Sequence, residues 1–165
     1  MLKMLSKEDE NIHHDDDDST ILHSHTHVYE KYSGKVEKLR EGFAEVHLTI
    51  IKNMLADNIG LIHNGCIFSS ASLAAVAAVN ERYGFVIGSI THFLTPIRED
   101  DKVIFKAKSR HKIGRKRVVD VIGRIQDVKV FIGEFSVAIM EQHILNLKLE
   151  AIDMSEKRDD EEQEL

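Results

Sequence analysis

The sequence predicts an α+β fold in which an antiparallel sheet of about six strands wraps around one long central helix. Residues 60–80 carry no charged side chain, although 30% of the chain is charged. A helix that is apolar or small on every side must be buried on every side. Two strand-like runs precede this segment and four follow it, and an antiparallel sheet is the structure they can form around it.

The first two strands form a predicted hairpin. Ser33-Gly34 opens the first run, 35–39, and Glu41-Gly42 supplies the turn. The second run, 43–50, alternates apolar and polar residues with a period of two, which is typical of a strand with one buried face. An irregular connection over 52–62 then leads to the helix.

The helix and four longer strands complete the predicted domain. The helix spans about 64–81, and Tyr83-Gly84 ends it. Alanines at i, i+3, i+4 and i+7 predict close packing of this helix against the sheet; they are Ala71, Ala74, Ala75 and Ala78. The strands are predicted at 85–95 (stopped by Pro96), 102–112, 116–126 and 129–141, with turns at Ile113-Gly114 and Gln126-Asp127.

Composition and charge divide the chain into a domain and two acidic tails. The predicted N-terminal tail, 1–33, carries 8 acidic and 3 basic residues, and residues 153–165 carry 7 and 2. The part between them is mildly basic, with 17 basic against 13 acidic residues. We therefore expect one folded domain at 34–145. It is flanked by largely disordered tails at 1–33 and 146–165, which solvate the protein or engage a partner.

The overall composition favours a cytoplasmic protein without a membrane segment. The N-terminal residues turn acidic before an apolar run develops, and no uncharged stretch is apolar enough to span a bilayer. The lone Cys66 excludes an intramolecular disulfide and a cysteine-based zinc site. We also expect no cofactor.

Five of the ten histidines lie in the N-terminal tail. His13 and His14 stand beside the acidic run 15–18, and His23, His25 and His27 alternate, which would place these three on one face of a strand. Imidazole and carboxylate groups bind zinc or nickel. No spacing pattern marks a built site, so the prediction is a polar tail without a specific metal site.

The start of the helix is the main candidate for chemistry. The backbone N–H groups of Asn64, Gly65 and Cys66 have no partner within the helix and lie at its positive end, which favours a bound anion or a polarised oxygen. Cys66 is either a thiol activated by the helix dipole or a small buried filler. His63 is either a turn residue or a base, and Asp57 either faces a ligand or stabilises the loop.

Three short motifs in their order resemble the hot-dog superfamily, and within it the phenylacetyl-CoA thioesterase group. They are Glu41-Gly42-Phe43-Ala44-Glu45-Val46, Ile62-His63-Asn64-Gly65-Cys66-Ile67-Phe68 and Thr91-His92-Phe93-Leu94-Thr95-Pro96. The likeness covers about residues 34–143. It implies a hot-dog fold, a homodimer or higher homo-oligomer with continuous sheets, and an acyl-CoA groove at the dimer interface where the Gly65 N–H binds the thioester carbonyl.

The resemblance also exposes a missing group. Catalytic relatives carry an acidic base or nucleophile one to two turns inside this helix, and the matching position here is Ser72; no Asp or Glu occurs between Asp57 and Glu81. A general base contributes about 10²- to 10⁴-fold to a rate. Ser72 needs a base of its own, and the sequence leaves open whether His63, or His47 or His92 of a second subunit, reaches it.

A non-catalytic branch of the superfamily fits this combination. Residues 68–74 are similar to the helix of the bacterial fatty-acid-synthesis repressor, a sensor of acyl thioesters, although no helix-turn-helix precedes them here. We therefore expect an acyl-CoA or related acyl-thioester binding protein with a regulatory role. The alternative is a thioesterase that uses Asp57, His63 or Ser72; a third possibility is an interaction or metal-handling protein.

A basic hairpin around Gly114 is the candidate for the CoA phosphates. Its cationic residues include Arg110, Lys112, Arg115, Lys116 and Arg117. The resemblance places the hairpin near the mouth of the groove, where arginine and lysine pair with phosphate. The alternatives are a solvated edge or a nucleic-acid patch, and the absence of interleaved aromatic residues argues against nucleic acid.

Overall fold

The computed structural model describes residues 21–146, leaving out the side chain at position 111. Six antiparallel strands form one sheet in the order β1-β2-β4-β5-β6-β3, and the long helix α2 packs on one face of it. The elements are α1 (Glu30–Ser33), β1 (Lys35–Arg40), β2 (Phe43–Thr49), α2 (Asn64–Val79), β3 (Gly84–Phe93), β4 (Lys102–Ile113), β5 (Lys116–Ile125) and β6 (Val128–Ile139), with 3-10 turns at Lys52–Met54 and Ile144–Asn146. The predicted fold class is confirmed.

Tight turns connect β1 to β2, β4 to β5 and β5 to β6 at the predicted positions. Gly42 and Gly114 have φ angles of 72° and 56°, in the left-handed region that glycine adopts without strain. Gln126 takes φ 50° in the turn between β5 and β6. β3 ends at Phe93, before Pro96, which has no N–H for a further ladder bond.

The helix α2 is buried as predicted. Nine of its sixteen residues are buried, and the four spaced alanines are at most 1% exposed. The helix ends two residues earlier than predicted, because Asn80 adopts a left-handed conformation (φ 50°) and donates its N–H to the carbonyl of Val76. No helix within residues 21–146 is long and apolar enough to cross a membrane.

The direction of α2 relative to the sheet decides which residues meet. α2 ends at Val79, and β3 begins at Gly84, opposite Ile139 at the end of β6. The tip of the β4–β5 hairpin lies at the same end of the sheet, because Lys116 pairs with Ala138. A sixteen-residue helix is about 24 Å long. The start of α2 therefore points toward the opposite end of the sheet.

Residues 21–33 pack on the domain, so the prediction of a disordered tail is wrong for this part; residues 1–20 lie outside the described residues. Leu22 and Val28 contact the core, and Ser33 shares a hydrogen bond of 2.7 Å with Ser69 of α2. The segment is not a strand, since His25 has φ 57°. The predicted one-sided array of three histidines therefore does not form.

Candidate functional site

The start of α2 is shaped by a contact between His63 and Gly65. A Cβ atom at Gly65 would lie 2.8 Å from Nε2 of His63 and 3.2 Å from its Cδ2. The imidazole ring therefore lies directly over Gly65, and only glycine leaves room for it there. His63 is exposed and caps no backbone group of the helix with its side chain. The ring is free to face a ligand.

Two of the three predicted amide donors are available. The N–H of Cys66 donates to the carbonyl of His63 at 3.0 Å, so the prediction that it is a free donor is wrong. The N–H groups of Asn64 and Gly65 have no acceptor among residues 21–146 and lie in the exposed first turn. Burial raises the pKa of the Cys66 thiol, which favours the filler role over an activated thiolate.

Ser72 lies on the same side of α2 as Gly65. They are seven positions apart, which corresponds to two turns and about 10 Å along the axis. Ser72 is half-buried, while the neighbouring Ala71 and Leu73 are buried. The position matches a groove that runs along α2 from Gly65, so a thioester held at the Gly65 amide must extend along α2 to meet the side chain at position 72.

Asp57 stabilises a loop. Its Oδ1 accepts hydrogen bonds from the N–H groups of Ile59, Gly60 and Leu61 at 2.8, 2.9 and 3.1 Å. The bonds from Leu61 and Ile59, with a smaller one from Gly60, hold the pKa of this carboxyl below its usual value. A carboxylate of lowered basicity that is already occupied is a poor general base, so the structure favours the loop role.

The other candidate histidines lie on the sheet face that points away from α2. His47 follows the buried Val46 in β2, and successive side chains of a strand alternate between faces. His92 contributes to a shallow depression on the same outer face, next to Ile90 and Asp120. Neither ring faces Ser72 of its own chain.

The most buried carboxylate of the described residues, Glu45, was not predicted from the sequence as part of a site. Glu45 is 5% exposed on the outer face of β2, where its Oε1 lies 2.7 Å from Nε2 of His47. Lys38 and Lys106 lie 3.7 and 3.6 Å away. Burial raises the pKa of Glu45, but the hydrogen bond with His47 and the lysine charges outweigh it, so the pKa is lowered. The alternation of β2 indicates that Glu45 lies on the outer face of the sheet. Its burial on that face depends on strands distant in sequence, which the alternation does not reveal.

Aromatic rings line the space between α2 and the edge of the sheet. Phe68 of α2 packs against Phe135 of β6 with 5.7 Å between ring centroids, and Phe93 of β3 packs against Phe131 at 5.4 Å. Phe131 and Phe135 flank Gly133, where an added Cβ would meet their rings at 3.0 and 2.8 Å. Phe93 and Phe68 are only partly buried, so this wall offers an apolar surface beside the start of the helix.

The predicted phosphate-binding hairpin lies at the other end of α2 from Gly65. Two of its five cations are paired within the chain: Arg110 with Asp120 at 2.6 Å and with Glu134, and Arg115 with Glu141. Within a single chain, the hairpin and Gly65 therefore do not line the same groove entrance. The CoA-phosphate role would require the hairpin of a second copy.

A metal site is not evident in the part of the chain that the structure describes. No group of three His, Cys, Asp or Glu residues there is arranged to hold an ion. His13 and His14 lie outside the described residues.

Comparison with curated proteins gives one match to a longer protein. Over 114 residues the chain is 39% identical to methylthioribose-1-phosphate isomerase from Aquifex aeolicus, which covers 69% of this chain and 25% of that protein. The chain thus spans about a quarter of the length of the curated relative that it matches. No family model matches the chain.

Solved structures match over most of their length. PH1136 from Pyrococcus horikoshii is 32% identical with a TM-score of 0.76, and the match covers 77% of this chain and 98% of that one. A hypothetical thioesterase from Streptococcus pneumoniae, solved with coenzyme A, is 22% identical (TM-score 0.60, 66% and 87% covered). The PaaI protein of the E. coli phenylacetic acid degradation operon is also 22% identical (TM-score 0.60, 68% and 83% covered). With this sheet order around one buried helix, the chain has the hot-dog fold, and it is a relative of PH1136.

Proposed function

We propose that this protein binds an acyl-CoA or a related acyl thioester at the start of α2 and does not hydrolyse it efficiently. The observation that carries the proposal is the pair of free amides at Asn64 and Gly65, with the ring of His63 against Gly65, in a helix without a carboxylate. Amides at the positive end of a helix stabilise the partial negative charge of a thioester oxygen. The aromatic wall beside them suits an acyl group.

The free edge of the sheet supports a dimer that builds the groove from two chains. β3 pairs only with β6, so its other edge has no partner among the described strands. This edge exposes Ile87 (52%) and Ile90 (67%), and long exposed edges of this kind pair with a second strand. Residues 82–98 contain no Asp or Glu. A second β3 would therefore bring no catalytic carboxylate to the site.

The pneumococcal thioesterase with coenzyme A supports the choice of ligand class at the level of the fold. Retention of a binding site without an obvious hydrolytic group fits a sensor or regulator, whose output is a change of state and not a product. The isomerase activity of the Aquifex protein is not transferred, because three quarters of that protein lie outside the match.

A true thioesterase is the rival function, and His63 is the observation that favours it. Its ring lies over Gly65, where it is close to any thioester held by the amides. Imidazole is a competent base near neutral pH, and a base in that position would activate a water molecule.

Two measurements separate binding from hydrolysis. Thermal shift with a panel of acyl-CoAs should show stabilisation, since a ligand that binds only the folded state raises the melting temperature. Release of CoA, followed with a thiol reagent, should remain near the background rate. Rapid release would establish the thioesterase, and a His63→Ala variant that abolished it would assign the base.

Ser72→Asp tests whether the groove positions a thioester as the superfamily does. Restoring a carboxylate should raise hydrolysis by about 10²-fold or more, the usual contribution of a general base. Ser72→Asn is the matched control, because it has similar size and no charge, and it should stay at background. If Ser72→Asp still binds acyl-CoA but hydrolyses nothing, the thioester does not lie along this face of α2.

A further inference from the structure

The tip of the β4–β5 hairpin carries two like charges directly opposite each other. Lys112 and Arg117 are cross-strand partners, and neither forms an ion pair with an acid among residues 21–146. Like charges at facing positions of an antiparallel pair are destabilising. Among residues 21–146, the acceptors of the Arg117 guanidinium are the carbonyls of Gly114 and Lys116. No carboxylate of this part of the chain pairs with Lys112 or Arg117 to offset their repulsion.

The pair faces the same side of the sheet as the helix. Arg117 and the buried Val119 are two residues apart in β5, and residues at this spacing share a face. Lys116 lies on the adjacent position and is exposed. The three cations thus surround the hairpin tip, at the end of the sheet where α2 stops.

The last strand leads the chain past this hairpin. The N–H of Ile139 donates to the carbonyl of Arg115 at 2.8 Å, and Glu141 forms an ion pair with the Arg115 side chain. Beyond Asn146, outside the described residues, the sequence reaches the run 159–164, in which five of six residues are acidic. Twelve residues, 147–158, connect Asn146 to the run. A chain of this length spans at most about 40 Å, and a partner on the same chain acts at an effective concentration of about millimolar.

We propose that the acidic run 159–164 docks on the cations Lys112, Lys116 and Arg117 of the same chain. Carboxylates placed between Lys112 and Arg117 replace their mutual repulsion by attraction. The short tether compensates for the weakness of each exposed ion pair. The docked run occupies the hairpin and excludes other anions, phosphates included, from it. This inference does not rest on the proposed acyl-thioester function.

Carbodiimide cross-linking of the full chain tests the proposal, because it joins lysine amines only to carboxylates in direct contact. Trypsin cuts after Arg158 and releases 159–165 as one peptide. We expect this peptide on Lys112 or Lys116 and not on Lys129, which is exposed at the other end of the sheet. The product should disappear in about 1 M NaCl, where the screening length is about 3 Å.

Matched variants identify the occupant. Neutralising the run (Asp159→Asn, Asp160→Asn, Glu161→Gln, Glu162→Gln and Glu164→Gln) should shift the amide resonances of residues 112–117, while neutralising the N-terminal run 15–18 should leave them in place. Cross-links to 15–18, cross-links between differently labelled chains, or amide shifts only on addition of CoA or an oligonucleotide would each overturn the proposal in favour of that other occupant.

Discussion

Gly65→Ala should weaken ligand binding without weakening the fold. The added Cβ would approach Nε2, Cδ2 and Cε1 of His63 to 2.8, 3.2 and 3.3 Å, against about 3.5–4.0 Å for ordinary contacts. Because His63 is exposed, its ring swings into solvent and not into the core. Loss of one hydrogen-bonding group from the site costs about 1 kcal/mol, or about fivefold in the dissociation constant. Alanine favours a helix over glycine, so the melting temperature should not fall.

Titration calorimetry with an acyl-CoA that stabilises the wild type provides the assay, and a double-mutant cycle isolates the cause. His63→Ala should weaken binding as much as Gly65→Ala, and the double variant should be no weaker than either, since both single changes remove the same ring from the site. Additive losses would show that Gly65 and His63 act separately. If Gly65→Ala clearly lowered the melting temperature and left the affinity unchanged, the start of α2 would not be the binding site.

Three further substitutions test the packing and charge of the fold. Glu45→Gln should lower the free energy of unfolding, measured by urea titration, by about 1 kcal/mol at pH 7. Since the pKa of Glu45 is lowered in the folded state, this difference should shrink as the pH falls below about 4.3, the pKa of an unfolded glutamate. A difference that stays constant with pH would contradict the ion pairs of Glu45 with its cationic neighbours. Gly133→Ala should cost about 1–3 kcal/mol in the same assay, because its Cβ would collide with the buried rings of Phe131 and Phe135; an unchanged midpoint would show that the rings repack freely. Asp57→Asn should speed amide exchange at residues 59–61 near neutral pH and match the wild type once acid protonates Asp57, whereas unchanged exchange would exclude its loop role.

Local patterns predicted the elements and most of their bounds. The uncharged run at 60–80 predicted a buried helix because no face of it gains from contact with water. Glycine at positions 42 and 114 predicted the turns, since a positive φ is favourable there. The absence of a carboxylate from the helix is a property of the sequence alone, and it limits the chemistry of the site.

Long-range contacts decided the rest. The segment 21–33 was placed on the domain by Leu22, Val28 and Ser33. It has no periodic signal, because a short irregular segment gains its stability from the surface on which it packs.

The basic hairpin shows most clearly which properties follow from the sequence and which depend on the tertiary structure. Its composition indicated an anion-binding surface, but its distance from Gly65 depends on the direction of α2 beneath the sheet and on the register of β5 with β6. Charge is a property of the residues and can be counted along the chain. Proximity between residues 50 positions apart arises only when the strands pair and the helix is enclosed, and this is why the structure separates the hairpin from the helix start.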